Sequence, residues 1–180
     1  MNRALIVIDY TVDFVAEEGA LTCGKPGRDI EDSLVSLTEQ SIQNEDYVVL
    51  AVDVHEENNP YHPETDLFPP HNIRGTKGRS LYGELLHLFD ANRSAIYFMD
   101  KTRYSAFHGT DLDVKLRERE IGEIQLVGVC TDICVLHTAI DAYNLGYQIV
   151  VHKEAVASFN QPGHEWALNH FEQVLGAKVV

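Results

Sequence analysis

Long apolar runs, a positive charge excess and an even complement of cysteines are all missing from this chain of 180 residues. The longest uninterrupted apolar stretch, Tyr47 to Val52, falls far short of the roughly 20 residues that cross a bilayer. Basic residues number 14 against 28 acidic ones, a formal net charge of −14. Such a surface repels phosphate backbones and anionic lipid, and no local basic patch offsets it. Nucleic acid and membrane are therefore not expected partners. Three cysteines make no closed disulfide framework and fit a reducing, cytoplasmic setting. No signal-peptide architecture precedes the first strand-like segment. Repeats, low-complexity tracts and Ser/Gly-rich linkers are absent too, so residues 1–180 read as a single domain. What is present, 44% hydrophobic and 23% charged residues, is an ordinary globular composition.

Within it, short apolar runs end abruptly in polar residues. Ala4–Ile8 stops at Asp9, Tyr47–Val52 at Asp53, Ala95–Met99 at Asp100-Lys101, and Ile124–Val129 at Cys130. Tyr147–Val151 and Ala177–Val180 complete the set. Runs this short and rich in β-branched residues predict strands buried on both faces, the mark of a parallel sheet. Helical spacing lies between them, over Arg28–Gln43, Ser80–Phe89 with Ser80 as cap, Asp111–Glu120, Asp132–Leu145 with Thr131 as cap, and a last helix opened by Pro162. The alternation predicts a three-layer α/β/α sandwich around a mainly parallel six-stranded sheet. Two connections, Tyr10–Gly27 and Val54–Arg79, are too long to be mere links. They follow the first two strands and so lie at the C-terminal edge of the sheet, where open α/β sheets place ligands.

Asp9, Asp53, Lys101 and Cys130 each lie at or just past the end of a different predicted strand, which directs them to one crevice. Cys134 would occupy the first turn of a helix capped by Thr131, where unpaired N–H groups and the helix dipole favour thiolate. A small buried core cysteine explains the position equally well. Lys101 changes that balance, because a buried ammonium needs a charge partner. Asp9 can be that partner and also take the thiol proton, giving a base–cation–nucleophile set. A structural Asp–Lys pair is the plainer alternative. Three of the nine histidines lie between positions 55 and 71, so Asp53 and His55 with Glu64 and His71 form a candidate His/carboxylate site suited to zinc, iron or manganese. His62 competes for the same role, and an acidic loop with incidental histidines remains open. Cys23, in the first long loop, reads as a bystander thiol.

Several motifs together resemble a known family. Gly128-Val129-Cys130-Thr131-Asp132-Ile133-Cys134-Val135 followed by Thr138-Ala139 is similar to the signature of the isochorismatase-like cysteine hydrolases. Ile6-Val7-Ile8-Asp9 with Asp13-Phe14, Lys101–Phe107, and Asp53-Val54-His55 with Phe68-Pro69-Pro70-His71 are similar to its nicotinamidase (pyrazinamidase) branch. The resemblance implies an isochorismatase-like hydrolase fold and Cys134 as nucleophile. It also implies Asp9 as base and later proton donor, Lys101 as stabilising cation, and a cis bond between Val129 and Cys130. The N–H groups of Cys130 and Cys134 would form an oxyanion hole. One divalent metal, zinc ahead of iron or manganese, would sit on Asp53, His55, Glu64 and His71 and fix the pyridine nitrogen. Phe14, Phe68 and Tyr104 would flank the ring.

The implied reaction is hydrolysis of nicotinamide to nicotinate and ammonia through a cysteine thioester, in NAD salvage, by a cytoplasmic homo-oligomer (dimer or tetramer). Hydrolysis of another small amide or carbamoyl compound is the alternative within the family. A non-catalytic metal- or ligand-binding domain is the alternative outside it, and has no use for Asp9, Lys101 and Cys134 together.

Overall fold

A computed structural model of the chain, which describes residues 2–180, contains one six-stranded sheet. Its strands are β1 (Asn2–Ile8), β2 (Tyr47–Asp53), β3 (Ile96–Lys101), β4 (Ile121–Val129), β5 (Gln148–Ala157) and β6 (Lys178–Val179). The spatial order is β3-β2-β1-β4-β5-β6, and every neighbouring pair is parallel. The mainly parallel sheet expected from the apolar runs is thus wholly parallel.

Alternation along β1 shows why the run Ala4–Ile8 has no polar residue. Leu5 and Val7 enter one buried cluster, while Ala4, Ile6 and Ile8 enter another on the opposite face. The first cluster includes Phe14 from α1 (Val12–Val15), which α2 (Lys25–Asp29) follows, Leu34 from α3 (Glu31–Gln43) and Leu85 from α4 (Gly83–Ala91). The second includes Leu112 and Leu116 from α5 (Leu112–Arg117), Ala139 from α6 (Leu136–Asn144), and Phe171 from α7 (Gln161–Gln173). Each such fully buried Leu or Phe contributes about 1.5–3 kcal/mol, and both faces need them.

Three helix boundaries differ from the sequence expectation. The segment Arg28–Gln43 is two helices, Lys25–Asp29 and α3, meeting at Ile30; Pro26 in the first turn starts the former early. Ser80 does not cap α4, which begins at Gly83 with Tyr82 at the cap position; the Ser80 carbonyl accepts from Val12 N at 2.9 Å. Glu31 instead accepts the Glu84 N–H at 2.8 Å, and its carboxylate leaves no room for a Cβ at Gly83. Nor does Thr131 cap an α-helix: Thr131–Val135 is a π-helical turn ahead of α6. Val135 N reaches back five residues to Cys130 O at 3.2 Å, while Thr131 Oγ1 pairs with His164 Nδ1 at 2.8 Å. Such wide turns recur at functional sites.

The sheet reverses its winding between β1 and β4, which makes their C-terminal ends a topological switch point. Gly128 serves this junction, with φ +116° and a hypothetical Cβ only 2.0 Å from Ile8 O. Gly128→Ala should therefore cost about 3 kcal/mol or more, read as a lower urea midpoint; an unchanged midpoint would mean the two strands can separate freely. Among the described residues, no helix is long and apolar enough to cross a membrane.

Candidate active site

Asp9 leaves β1 with a left-handed backbone, φ 55°, uncommon for a residue other than glycine and recurrent at functional sites. Its buried carboxylate uses Oδ1 to accept the Asp53 N–H at 2.8 Å. Oδ2 lies 2.8 Å from Lys101 Nζ but has no aligned hydrogen bond. Lys101 ends β3 with its side chain fully enclosed. Its ammonium is also 3.6 Å from Asp53 Oδ1 and 3.6 Å from Cys134 Sγ, and donates to Arg103 O at 3.1 Å. The structure therefore brings Asp9, Lys101 and Cys134 together from the ends of β1 and β3 and the turn after β4.

Burial governs the protonation states here. It pushes the Asp9 carboxyl up to about 6, although the Lys101 charge pulls the other way. Burial alone would favour a neutral Lys101, but the Asp53 and Asp9 carboxylates outweigh it and hold the ammonium charged. The Cys134 thiol is likewise driven up by burial, against Lys101 and with the help of Asp9 and Asp53. Burial and the two carboxylates thus favour the thiol, whereas a helix N-terminus would favour thiolate. A carboxylate near 6 beside a thiol far above it is a base facing its proton.

Beside this group, Asp53, His55, Glu64 and His71, all buried, each offer a ligand atom, and these atoms lie within 4.8 Å of one another. Asp53 Oδ2 is 2.7 Å from His55 Nε2 and 3.7 Å from His71 Nε2, and the latter is 3.5 Å from Glu64 Oε2. Adjacent ligands of a tetrahedral zinc stand about 3.3 Å apart, so the spacing suits such an ion. Burial would raise the Asp53 carboxyl, yet Lys101, His55 and His71 bring it down to about 2, keeping it ionised. His71 donates from Nδ1 to Pro69 O at 2.8 Å. This turns Nε2 toward the other three side chains, buried and without a hydrogen-bond partner, the orientation a metal-ligating imidazole adopts. The four residues can hold a divalent metal.

His62, the competing ligand, is occupied elsewhere. Its Nε2–H donates to Thr102 O at 2.7 Å, and its Nδ1 accepts the Glu64 N–H at 3.2 Å. It braces Glu64 against the segment that follows Lys101. His62→Ala should weaken metal retention about 10-fold or more, measured by chelator competition; undiminished retention would reduce His62 to loop packing. Sequence reasoning missed a second brace. Asn72 N donates to Asp13 Oδ2 at 2.8 Å, Asn72 Oδ1 accepts from Thr11 at 2.9 Å, and Asn72 O accepts from His55 N at 3.1 Å. Only the pairing of two distant loops creates these bonds, although Asp13 had stood beside Phe14 in a recognised motif.

Phe14, Phe68 and Tyr104 line one crevice with Cys130, Cys134, Asp53 and Glu64. Leu21, Ile133 and Phe159 complete its walls and were not anticipated, since single apolar residues carry no local signature. The Val129–Cys130 peptide is cis. Cys23, read from the sequence as a bystander thiol, is buried, with its sulfur 3.0 Å from that of Cys130.

An isochorismatase domain model matches residues 3–180. An isochorismatase family protein PncA of Bacillus subtilis strain 168, described as uncharacterized, is 66% identical over 99% of both chains. The crystal structure of a nicotinamidase/pyrazinamidase PncA from Bacillus subtilis superposes with a TM-score of 0.99 at 62% identity, covering all of both chains. A pyrazinamidase of Pyrococcus horikoshii, solved in complex with zinc, gives 0.85 at 26% identity, over 100% of this chain and 99% of that one. With a wholly parallel sheet, polar groups gathered at its switch point and a family model spanning nearly every residue, the chain belongs to the isochorismatase family.

Proposed function

We propose that this protein is a nicotinamidase, hydrolysing nicotinamide to nicotinate and ammonia. The observation that carries the reading is the contact of Lys101 Nζ with both Asp9 (2.8 Å) and the Cys134 sulfur (3.6 Å), at the base of an aromatic crevice. The 62% identity to a structure described as a nicotinamidase/pyrazinamidase supports it.

In the proposed mechanism Asp9 takes the Cys134 proton through Oδ2, and Lys101 balances the charge on sulfur as it attacks the carboxamide carbon. The N–H groups of Cys130 and Cys134 hold the tetrahedral oxyanion. Asp9 then returns the proton to the departing nitrogen, ammonia leaves, and a thioester remains on Cys134. Asp9 next deprotonates a water, which adds to the thioester carbon and releases nicotinate and the thiol. Phe14, Phe68 and Tyr104 flank the ring and help exclude bulk water. A divalent metal on Asp53, His55, Glu64 and His71, zinc ahead of iron or manganese, would supply a fixed anchor for the pyridine nitrogen. The zinc of the Pyrococcus structure and the ligand spacing support that assignment. Work in the cytoplasm as a homodimer or homotetramer in NAD salvage belongs to the same proposal.

The test is ammonia release from nicotinamide by the purified protein, with and without prior chelation. Release that falls after chelation through a raised KM, and returns with added zinc, is the expected result. No release from metal-replete protein would overturn the nicotinamide assignment and direct attention to other small amides.

A further inference from the structure

The proposed mechanism uses one of three cysteines and leaves the other two in contact. Cys23 and Cys130 are 2% and 8% exposed, with sulfurs 3.0 Å apart, about 1 Å more than a disulfide bond. Neither has an acid–base partner such as Lys101 and Asp9 provide for Cys134. Their positions join two walls of the crevice. Cys130 lines it directly, and Cys23 lies two residues beyond Leu21, which also lines it. Cys23 N further donates to Phe14 O at 2.8 Å, so a displacement of Cys23 is passed to an aromatic wall. Plain core packing of two small thiols needs neither this proximity nor this placement.

We propose that Cys23 and Cys130 are an oxidisable dithiol whose disulfide narrows the crevice and weakens substrate binding. The co-reactant is a small peroxide. One sulfur, as thiolate, attacks a peroxide oxygen; the O–O bond breaks, a sulfenic acid forms, and the expelled hydroxide takes up the thiol proton as water. The second sulfur attacks the sulfenic sulfur; the S–S bond forms, the S–O bond breaks, and a second water leaves. Two electrons pass from the sulfurs to hydrogen peroxide, so two thiols and one peroxide give one disulfide and two waters. Burial keeps bulky oxidants out, and the contact with Cys23, together with burial, disfavours thiolate at Cys130, so the reaction is slow beside that of an exposed thiol. Closing the gap draws the segment carrying Leu21 toward Cys130, within a crevice that must hold a flat ring.

The consequence for binding rests on the nicotinamidase reading, but formation of the bond does not. Full-length Cys134→Ala protein treated with hydrogen peroxide and digested without reduction should yield a linked peptide pair containing Cys23 and Cys130. The pair should separate on adding dithiothreitol. In the wild type, peroxide should raise KM for nicotinamide about tenfold, the rise should reverse with dithiothreitol, and Cys23→Ser and Cys23→Ala should lack that reversible part. Failure to find the linked pair under peroxide that fully oxidises Cys134 in the wild type would overturn the proposal. So would an equal reversible loss in both Cys23 variants. A linked pair in a protein inactive on nicotinamide would uphold the dithiol while overturning the nicotinamidase reading.

Discussion

Ammonia release from nicotinamide should fall by about 10⁴-fold or more when Cys134 is replaced by alanine, equivalent to about 5–6 kcal/mol of lost transition-state stabilisation. The sulfur is the atom that bonds to the substrate, and no other nucleophile is in place to substitute. Asp9 and Lys101 remain paired at 2.8 Å without it, and the metal-binding group does not include it. Fold and metal content should therefore survive, and the measurement is kcat/KM alongside metal analysis and a urea midpoint. Activity within tenfold of the wild type, in a protein that retains its metal, would remove the thioester from the mechanism.

Lys101→Met should impair both chemistry and folding. Lys101 is the cation that Asp9, Asp53 and the Cys134 sulfur share. Without it, the buried Asp9 carboxylate faces that of Asp53 with no cation of its own, a loss on the order of 3–5 kcal/mol. Asp9 would rise further above its position near 6 and hold a proton at neutral pH, so it could not accept one from the thiol. Activity should drop by about 10³-fold, with a lower urea midpoint for the metal-loaded protein. Asp9→Asn separates the two effects: it removes the base but keeps the shape, so it should lose comparable activity with less loss of stability. Because the residues act as one unit, Asp9→Asn combined with Lys101→Met should cost less than the sum of the two. Full additivity would mean that they act independently.

The amino-acid pattern alone determined the sheet and the membership of its edge. Strands buried on both faces must be apolar throughout, so β1, β2 and β4 stand out as runs, and the first polar residue after each marks where burial by helices ends. Parallel strands bring those ends together whatever their separation in sequence, which is why Asp9, Asp53, Lys101 and Cys130 could be grouped from the sequence, with Cys134 one helical turn beyond. The ligand set Asp53, His55, Glu64 and His71 was legible as residue types, and the preference for these over His62 came from resemblance rather than from spacing.

Tertiary structure decided the rest, because it depends on contacts between segments with no local periodicity. The choice between Glu64 and His62 turns on which ring nitrogens are already bonded, and only folding the long second loop against Thr102 occupies both nitrogens of His62. A local capping rule put Thr131 at a helix start; its pairing with His164, 33 residues away, is a long-range outcome. Cap chemistry likewise pointed to Ser80, whereas Glu31, 53 residues from Glu84, does that work. The protonation of Cys134 followed the same course, since helix position favours thiolate but burial beside two carboxylates works against it. Cys23 and Cys130, 107 residues apart, share no motif at all. Sequence reports what each segment requires of its surroundings, and only the packed fold reports which distant group meets the requirement.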